Sequence, residues 1–253
     1  MNAPAIEAAG LTVSYGSVIA LDRVDASMPE GTTTAIIGPN GSGKSTFLRA
    51  TAGLAAPLRG SIRVPARKAP GGVSLVLQST DLDAGLPLSV REAVRMGRYR
   101  RLGLARRFGH ADRDAVEEAI ERLELAPLAL RQLGELSGGQ RQRVLVAQGL
   151  AQQSSLLLLD EPLTGLDLAS RERIWSIVED ERSAGRTVVV STHDLGEAPP
   201  CALVMLVATR LIAFGPPEEV LAPAVLRNAY GSRLIEVDDG SVLLDDPHHQ
   251  HEH

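Results

Sequence analysis

An α/β fold with an all-helical insertion is predicted by three features of the sequence. Residues 5–37, and the chain from Ser155 onward, contain short β-branched or leucine-rich segments separated by turns or helix-like stretches. Between them, over residues 79–153, apolar residues recur at spacings of three and four, which is typical of helices. The strand–helix alternation of the second half indicates parallel strands. With 44% hydrophobic but only 3% aromatic residues, the core should be rich in leucine, valine and alanine.

The individual elements follow from the same patterns. Strands are predicted at residues 32–37, 61–64, 73–77, 156–159, 187–191, 203–207 and 211–214. Helices are predicted at residues 45–54, 112–125, 139–152 and 169–184. Ser89 with Glu92 three residues later forms a capping box, which indicates a helix start. The longest apolar run, 198–207, is interpreted as a buried strand, because a bilayer span needs about 20 residues.

Charge and cysteine content narrow the possible functions. The formal net charge of −5 argues against a broad nucleic-acid-binding face, so no nucleic acid partner is expected. The single cysteine, Cys201, allows no internal disulfide and fits a reducing cytosol. We expect no signal peptide, and we expect the polar residues 245–253 to be disordered.

A phosphate-binding loop is predicted between strand 32–37 and helix 45–54. The segment fits G-x-x-x-x-G-K-[ST], and a strand before it and a helix after it are the context that this motif requires. Its glycines let backbone N–H groups face phosphates, Lys44 adds a positive charge, and the Ser45 hydroxyl is a Mg²⁺ ligand. The expected nucleotide contacts are Gly38, Pro39, Asn40, Gly41, Ser42, Gly43, Lys44, Ser45 and Thr46.

An acidic pair follows the leucine-rich strand 156–159. Asp160 lies at the carboxyl end of that strand, where α/β sheets place their ligands, and can hold Mg²⁺. Glu161 is placed to polarise an attacking water. Alone, the pair could equally be a solvated acidic turn, but the phosphate loop upstream favours the catalytic interpretation.

A Ser-Gly-Gly-Gln sequence precedes the helix predicted at 139–152. Ser137 can cap this helix, and Gly138 and Gly139 allow backbone N–H groups to approach an anion. An ordinary helix start is the alternative interpretation, since Ser-Gly-Gly is common. The combination with Leu136 before it and Gln140 after it is much rarer.

With these motifs in this order, the chain resembles the nucleotide-binding subunit of ABC transporters over about residues 6–221. The resemblance implies a phosphate-loop nucleoside triphosphatase fold of the ABC type, with a β subdomain and the helical insertion. It also implies a role for Tyr15 in stacking on adenine, for Gln78 in sensing and binding Mg²⁺, and for His193 as a switch residue. The 163–167 loop (Leu-Thr-Gly-Leu-Asp) is similar to the segment that touches the opposite subunit.

The mechanism implied by the resemblance is ATP hydrolysis by a head-to-tail homodimer. Each ATP, with Mg²⁺, would lie between one chain's phosphate loop and the 137–140 segment of the other chain. Glu161 would orient water and His193 would contact the γ-phosphate. The dimer would sit at the cytoplasmic face of the membrane and drive separate permease subunits, which an extracytoplasmic solute-binding protein supplies. The expected domains are 5–222, an ATPase domain with its helical subdomain at 79–153, and a C-terminal extension at 223–253.

The segment that should face the permease is similar to that of zinc and manganese importers. The resemblance rests on Pro-Leu-Ser-Val from Pro87, on Val-Arg-Met-Gly-Arg-Tyr ending at Tyr99, and on residues 131–136. It implies import of a divalent metal, zinc before manganese. The tail adds His248, His249, His251 and His253, which bind Zn²⁺ loosely or are incidental. The arginines between Arg98 and Arg107 are interpreted as contacts to lipid or permease, or as solvated surface.

Other functions remain as alternatives. The chain could serve an ABC importer for another substrate such as an iron–siderophore, or be a soluble ABC ATPase of iron–sulfur assembly. Repair ATPases need a long coiled coil between Lys44 and Ser137, and translation ATPases need two cassettes, so both are disfavoured. An inactive scaffold is disfavoured because Lys44, Asp160, Glu161 and His193 are all present.

Overall fold

The computed structural model describes residues 3–78, 87–102, 107–231, 234–236 and 242–244. Its strands are β1 (Pro4–Tyr15), β2 (Val18–Pro29), β3 (Thr33–Ile37), β4 (Arg59–Arg63), β5 (Val73–Val76), β6 (Leu156–Asp160), β7 (Thr187–Thr192), β8 (Leu203–Ala208), β9 (Arg210–Gly215), β10 (Leu234–Glu236) and β11 (Val242–Leu244). Its α-helices are α1 (Lys44–Ala52), α2 (Val90–Met96), α3 (Tyr99–Leu102), α4 (His110–Arg122), α5 (Gly138–Ala151), α6 (Leu168–Ser183), α7 (Pro217–Val220) and α8 (Pro223–Tyr230).

A six-stranded sheet in the order β5-β6-β7-β3-β8-β9 forms the centre of the molecule. The first five strands run parallel and β9 is antiparallel to β8. Every residue of β3, β6 and β7 is buried, as expected for parallel strands covered on both faces. The predicted α/β class is therefore confirmed. Because parallel strands end at one edge, the segments that follow β3, β6 and β7 converge there.

A smaller antiparallel sheet, in the order β2-β1-β4, covers helix α1. Phe47 and Leu48 of α1 are fully buried in one cluster with Ile6, Leu11 and Leu21 from this sheet. Helix α1 ends where Gly53 adopts φ 81°, a left-handed conformation that glycine adopts without a Cβ penalty. The small sheet thus fixes the helix that begins directly at the predicted phosphate loop.

Helices α2, α4 and α5 come between β5 and β6 in the chain and pack against one another. Ser89 and Glu92 form the predicted capping box at the start of α2. Arg98, which the sequence grouped with surface arginines, is instead only 4% exposed, and its guanidinium donates to Asp112 Oδ1 at 2.7 Å. It also donates to the carbonyl of Ala151 at 2.8 Å. The surface interpretation is wrong for Arg98, because a buried guanidinium needs such partners.

The C-terminal third agrees with the narrower of two predictions for β8. The strand begins at Leu203, as the prediction of 203–207 has it, and not at the start of the apolar run 198–207, since Pro199 and Pro200 lack the N–H that a sheet ladder needs. Helix α8, which the sequence analysis did not predict, packs on β8 and β9 and buries Tyr230. Among the described residues, no helix has the length and apolar character needed to cross a membrane.

Candidate active site

The phosphate loop, residues 38–46, follows β3 and continues into the first turn of α1. Gly41 and Gly43 adopt φ 77° and 104°, in the left-handed region that favours glycine. A Cβ at Gly38 would lie 2.1 Å from the carbonyl oxygen of Val207, so no side chain fits there. The backbone therefore turns in a way that only glycine permits, as phosphate-binding loops require.

Lys44 is buried within this loop and holds it together. Its ammonium donates to the carbonyl oxygens of Gly38 at 2.9 Å and Pro39 at 3.3 Å, and lies 3.7 Å from Glu161 Oε1. Burial lowers the pKa of Lys44, while the charges of Glu161 and Asp160 act against that change. Because burial disfavours the charged form of Lys44, an additional anion beside the loop would stabilise this cation.

Asp160, at the end of β6, is buried and accepts two hydroxyl hydrogen bonds on one oxygen. Ser45 donates to Asp160 Oδ1 at 3.0 Å, and Ser191 donates to the same oxygen at 2.6 Å. The Ser191 hydroxyl also accepts from the backbone N–H of Glu161 at 3.0 Å. The sequence analysis gave Ser191 no role, although its position one strand away and in register with Asp160 follows once β6 and β7 are paired.

Glu161 and His193 form the charged part of the site. Glu161 has φ 48°, which is uncommon for a residue with a side chain and marks a functional turn in many proteins. Its Oε2 lies 3.3 Å from His193 Nδ1 and accepts from the Thr164 hydroxyl at 3.4 Å. The His193 hydrogen bond lowers the pKa of Glu161 despite burial, with Lys44 adding to the effect. The same hydrogen bond raises the pKa of His193, with burial acting against it.

The predicted 137–140 segment forms the start of α5. Ser137 accepts from the Gln140 N–H at 3.3 Å, and Gln140 Oε1 accepts from the Ser137 N–H at 3.0 Å, which is a capping box. A Cβ at Gly139 would lie 3.1 Å from Leu166 Cδ2, so this segment packs against the 163–167 loop of its own chain. Within the described residues, no hydrogen bond or ion pair joins it to the phosphate loop.

Tyr15 and Gln78 lie at the rim of the site. Tyr15 ends β1 and pairs with Val18, and both are exposed in a hairpin of the small sheet. The next residues of that hairpin touch the loop, since a Cβ at Gly43 would lie 2.6 Å from the carbonyl of Ala20. Gln78 is two residues past β5, whose last paired residue, Val76, lies opposite Leu159 of β6. No hydrogen bond among the described residues joins Gln78 to Ser45 or Asp160.

Some predictions lie outside the described residues. These are the first part of the permease-facing segment, residues 79–86, and the histidines of the tail. In the ranges that the structure does describe, no three His, Cys, Asp or Glu side chains group in a way suited to a metal ion.

A buried lysine in a glycine-turned loop, beside two carboxylates at the end of β6, defines a phosphate-loop nucleoside triphosphatase. Residues 21–164 match the ABC transporter family. The chain is 36% identical to the manganese transport system ATP-binding protein MntB of Listeria innocua, over 89% of this chain and 96% of that protein. It is 37% identical to the zinc transport system ATP-binding protein TroB of Treponema pallidum, over 92% and 89%.

Among solved structures, the dimeric ATP-binding cassette MJ0796, in a post-hydrolysis state bound to ADP and Pi, is 26% identical with a TM-score of 0.75. The match covers 84% of this chain and 98% of that one. The chain belongs to the ABC transporter family, and it is an ATP-binding, ATP-hydrolysing subunit of that family.

The Glu161–His193 pair predicts a pKa change that can be measured directly. In Glu161→Gln the pKa of His193 should fall, because the hydrogen bond and charge that raise it are lost while burial and Lys44 still lower it. NMR titration of the His193 ring measures this. Glu172→Gln, which removes an exposed charge from α6, is the control and should leave the His193 pKa in place.

The pKa shifts of Glu161 and His193 also determine how the stability of the folded chain depends on pH. The pair is charged only above the lowered pKa of Glu161 and below the raised pKa of His193. Its stabilisation is therefore lost as pH rises through the pKa of His193, and again as pH falls through that of Glu161. A His193 pKa that stays the same or rises in Glu161→Gln would contradict the pairing.

Proposed function

We propose that this chain hydrolyses ATP as a homodimer at the cytoplasmic face of the membrane, and thereby powers import of a divalent metal, zinc or manganese. The observation that carries the ATPase mechanism is the position of Glu161, whose carboxylate contacts both Lys44 and His193. The cargo rests on separate support. Relatives that match most of this chain are named for manganese and for zinc transport.

Glu161 is proposed to orient the attacking water. Its lowered pKa keeps it ionised at neutral pH, so it accepts a hydrogen bond from the water and polarises it. His193, whose Nδ1 contacts Glu161 Oε2, would donate a hydrogen bond to the γ-phosphate. Its raised pKa favours the protonated ring, which carries the positive charge that suits a phosphate partner.

The phosphate loop is proposed to bind the triphosphate through Lys44 and through its backbone N–H groups. Lys44 would exchange its contacts with the loop carbonyls for phosphate oxygens. The residues also fit Mg²⁺, since the Ser45 hydroxyl and the Asp160 carboxylate are oxygen ligands 3.0 Å apart, and Gln78 follows the neighbouring strand β5 by two residues. When bound, Mg²⁺ would neutralise charge on the β- and γ-phosphates.

A second copy of the chain is proposed to complete each site. The 137–140 segment opens a helix at two exposed residues, Ser137 and Gly138, and within the described residues it makes no hydrogen bond to its own phosphate loop. Such a helix start suits the γ-phosphate on a partner's loop. Tyr15, exposed at the hairpin beside the phosphate loop, is placed to stack on the adenine.

The remaining assignments concern the whole assembly. We place the ATPase domain at residues 5–222, with a helical subdomain at 79–153 and an extension at 223–253. The helical subdomain, with its segment after Gln78, would face permease subunits. An extracytoplasmic solute-binding protein would deliver the metal to those subunits. The ATPase subunit would not itself contact the transported metal. The proposal of a metal cargo therefore rests on the similarity of this sequence to metal transporters.

Two substitutions separate binding from hydrolysis. Lys44→Ala should abolish tight ATP binding, because it removes the cation buried in the phosphate loop. Glu161→Gln should bind ATP normally but lose turnover by about 10²–10⁴-fold, the usual contribution of a positioned acid or base. Calorimetry with ATP and steady-state phosphate release measure the two effects. Glu172→Gln is the control of equal charge change and should behave as wild type.

Each of the two measurements can contradict one of the proposed roles. Unchanged ATP affinity in Lys44→Ala would refute its proposed contact with phosphate. Near-normal turnover in Glu161→Gln would remove Glu161 from the chemistry.

The proposed metal cargo can be tested by measuring the growth and the metal content of cells that lack the gene. Cells without the gene should grow poorly under zinc or manganese chelation, recover when the missing metal is added, and contain less of that metal. The wild-type gene should restore uptake, whereas the Glu161→Gln gene should not. Deletion of residues 248–253 should leave uptake competent. Normal content of both metals, with a defect for a sugar, an amino acid or an iron–siderophore, would overturn the cargo assignment while leaving the ATPase assignment intact.

A further inference from the structure

A second connection reaches His193 from outside the Glu161 pair. The hydroxyl of Thr192 donates to the Glu197 carboxylate and accepts from the N–H of Asp194 at 3.0 Å. Thr192 and Asp194 are the two neighbours of His193, so the Thr192 hydroxyl links the chain on both sides of that residue, and Glu197 holds this hydroxyl. The Glu197 side chain is only 13% exposed, which is costly for an acid without such partners.

Arg171 connects Glu197 to the 163–167 loop. It lies in the first turn of α6, where its Nε donates to the carbonyl of Leu166 at 3.2 Å. Its Nη1 lies 3.5 Å from Glu197 Oε1. One guanidinium therefore spans from a loop carbonyl to the acid that holds the His193 turn. The planar arrangement of arginine donors suits two partners in different directions, which a lysine ammonium would not reach together.

These contacts close a ring around the 163–167 loop. On the inner side, Thr164 of the loop and His193 both contact Glu161 Oε2. On the outer side, the path runs from Leu166 through Arg171 and Glu197 to the turn that carries His193. The loop and His193 are thus joined by two separate routes, and displacement of one strains the hydrogen bonds to the other.

We propose that Arg171 and Glu197 are positioning residues that couple the 163–167 loop to His193. The inference rests on the proposed function, in which Glu161 and His193 act at the γ-phosphate and the loop meets the partner subunit. When the partner moves the loop, the Leu166 carbonyl shifts the guanidinium of Arg171, and Glu197 carries that shift to the turn at His193. His193 then reaches its working position only in a correctly closed dimer.

A purely structural surface ion pair is the competing explanation, and the same helix provides a control for it. Arg173, two residues along α6 from Arg171, pairs with Glu124, and both side chains of that pair are well exposed. Exposed pairs of this kind contribute little. Arg173→Ala therefore removes a guanidinium from the same helix without touching the ring.

The experiment compares Arg171→Ala, Glu197→Gln, the double variant and Arg173→Ala in the purified full chain, at concentrations where ATP supports dimer formation. The measurements are kcat and KM for ATP hydrolysis, ATP affinity by calorimetry, and the thermal midpoint.

In Arg171→Ala and in Glu197→Gln, kcat should fall about tenfold, a usual size for coupling between sites, while ATP affinity changes less than about twofold. The double variant should lose no more than the worse single one, because the two residues act as a unit. Arg173→Ala should keep wild-type kcat.

Wild-type kcat in either single variant would overturn the coupling, as would independent, multiplying losses in the double variant. A fall in kcat that only follows a lowered thermal midpoint or a lowered ATP affinity would also overturn it.

Thr192→Val is a second test in case Glu197→Gln folds poorly. It removes the hydroxyl that Glu197 binds, and it must show the same selective loss of kcat. Glu161→Gln in the same assay separates the two claims: if it stays active, the proposed mechanism fails, whereas if it is inactive beside a fully active Glu197→Gln, only the coupling fails.

Discussion

The adjacency of β6, β7 and β3 in the central sheet is the constraint on which the site depends. The three strands are parallel and buried, so the phosphate loop, the acidic pair and the histidine turn all emerge at one edge. Asp160 and Ser191 are register partners, and their hydrogen bond of 2.6 Å joins β6 to β7 at the point where both strands end. Ser45 adds a bond from the helix that follows β3. One carboxylate oxygen thus connects all three segments.

Two neighbouring carboxylates take different partners at this edge. Asp160 is the last residue of a buried strand and accepts hydrogen bonds from the hydroxyls of Ser45 and Ser191. Glu161 leaves the strand with φ 48°, which turns its side chain toward Lys44 and His193. The backbone change between these two residues therefore separates a hydroxyl-lined environment from one that contains the Lys44 ammonium. Its conformational cost, on the order of 1–3 kcal/mol for a strained position, is offset by the N–H bond to Ser191 and by the charge contacts.

Local patterns in the sequence predicted the segments whose structure is set locally. The phosphate loop with its strand and helix, the capping box at Ser89, the helix cap at Ser137, and the strand before Asp160 all depend on residues close together in the chain. Contacts between distant segments were not predictable in this way. Ser191 becomes a partner of Asp160 only after strand pairing, and Arg171 meets Glu197 only after α6 packs beside β7. Arg98 was misplaced on the surface for the same reason, since its partner Asp112 lies on another helix.

Sharing of each ATP between two copies of the chain is the central claim, and a mixture of two inactive variants tests it most directly. Lys44→Ala disables the phosphate loop, and Ser137→Arg places a bulky cation in the segment offered to the partner. A mixed dimer then keeps one fully intact site and loses both halves of the other. If subunits exchange freely, half the dimers are mixed, so phosphate release should recover to about one quarter of wild type. Phosphate release that equals only the mean of the two variants measured separately would contradict the shared site.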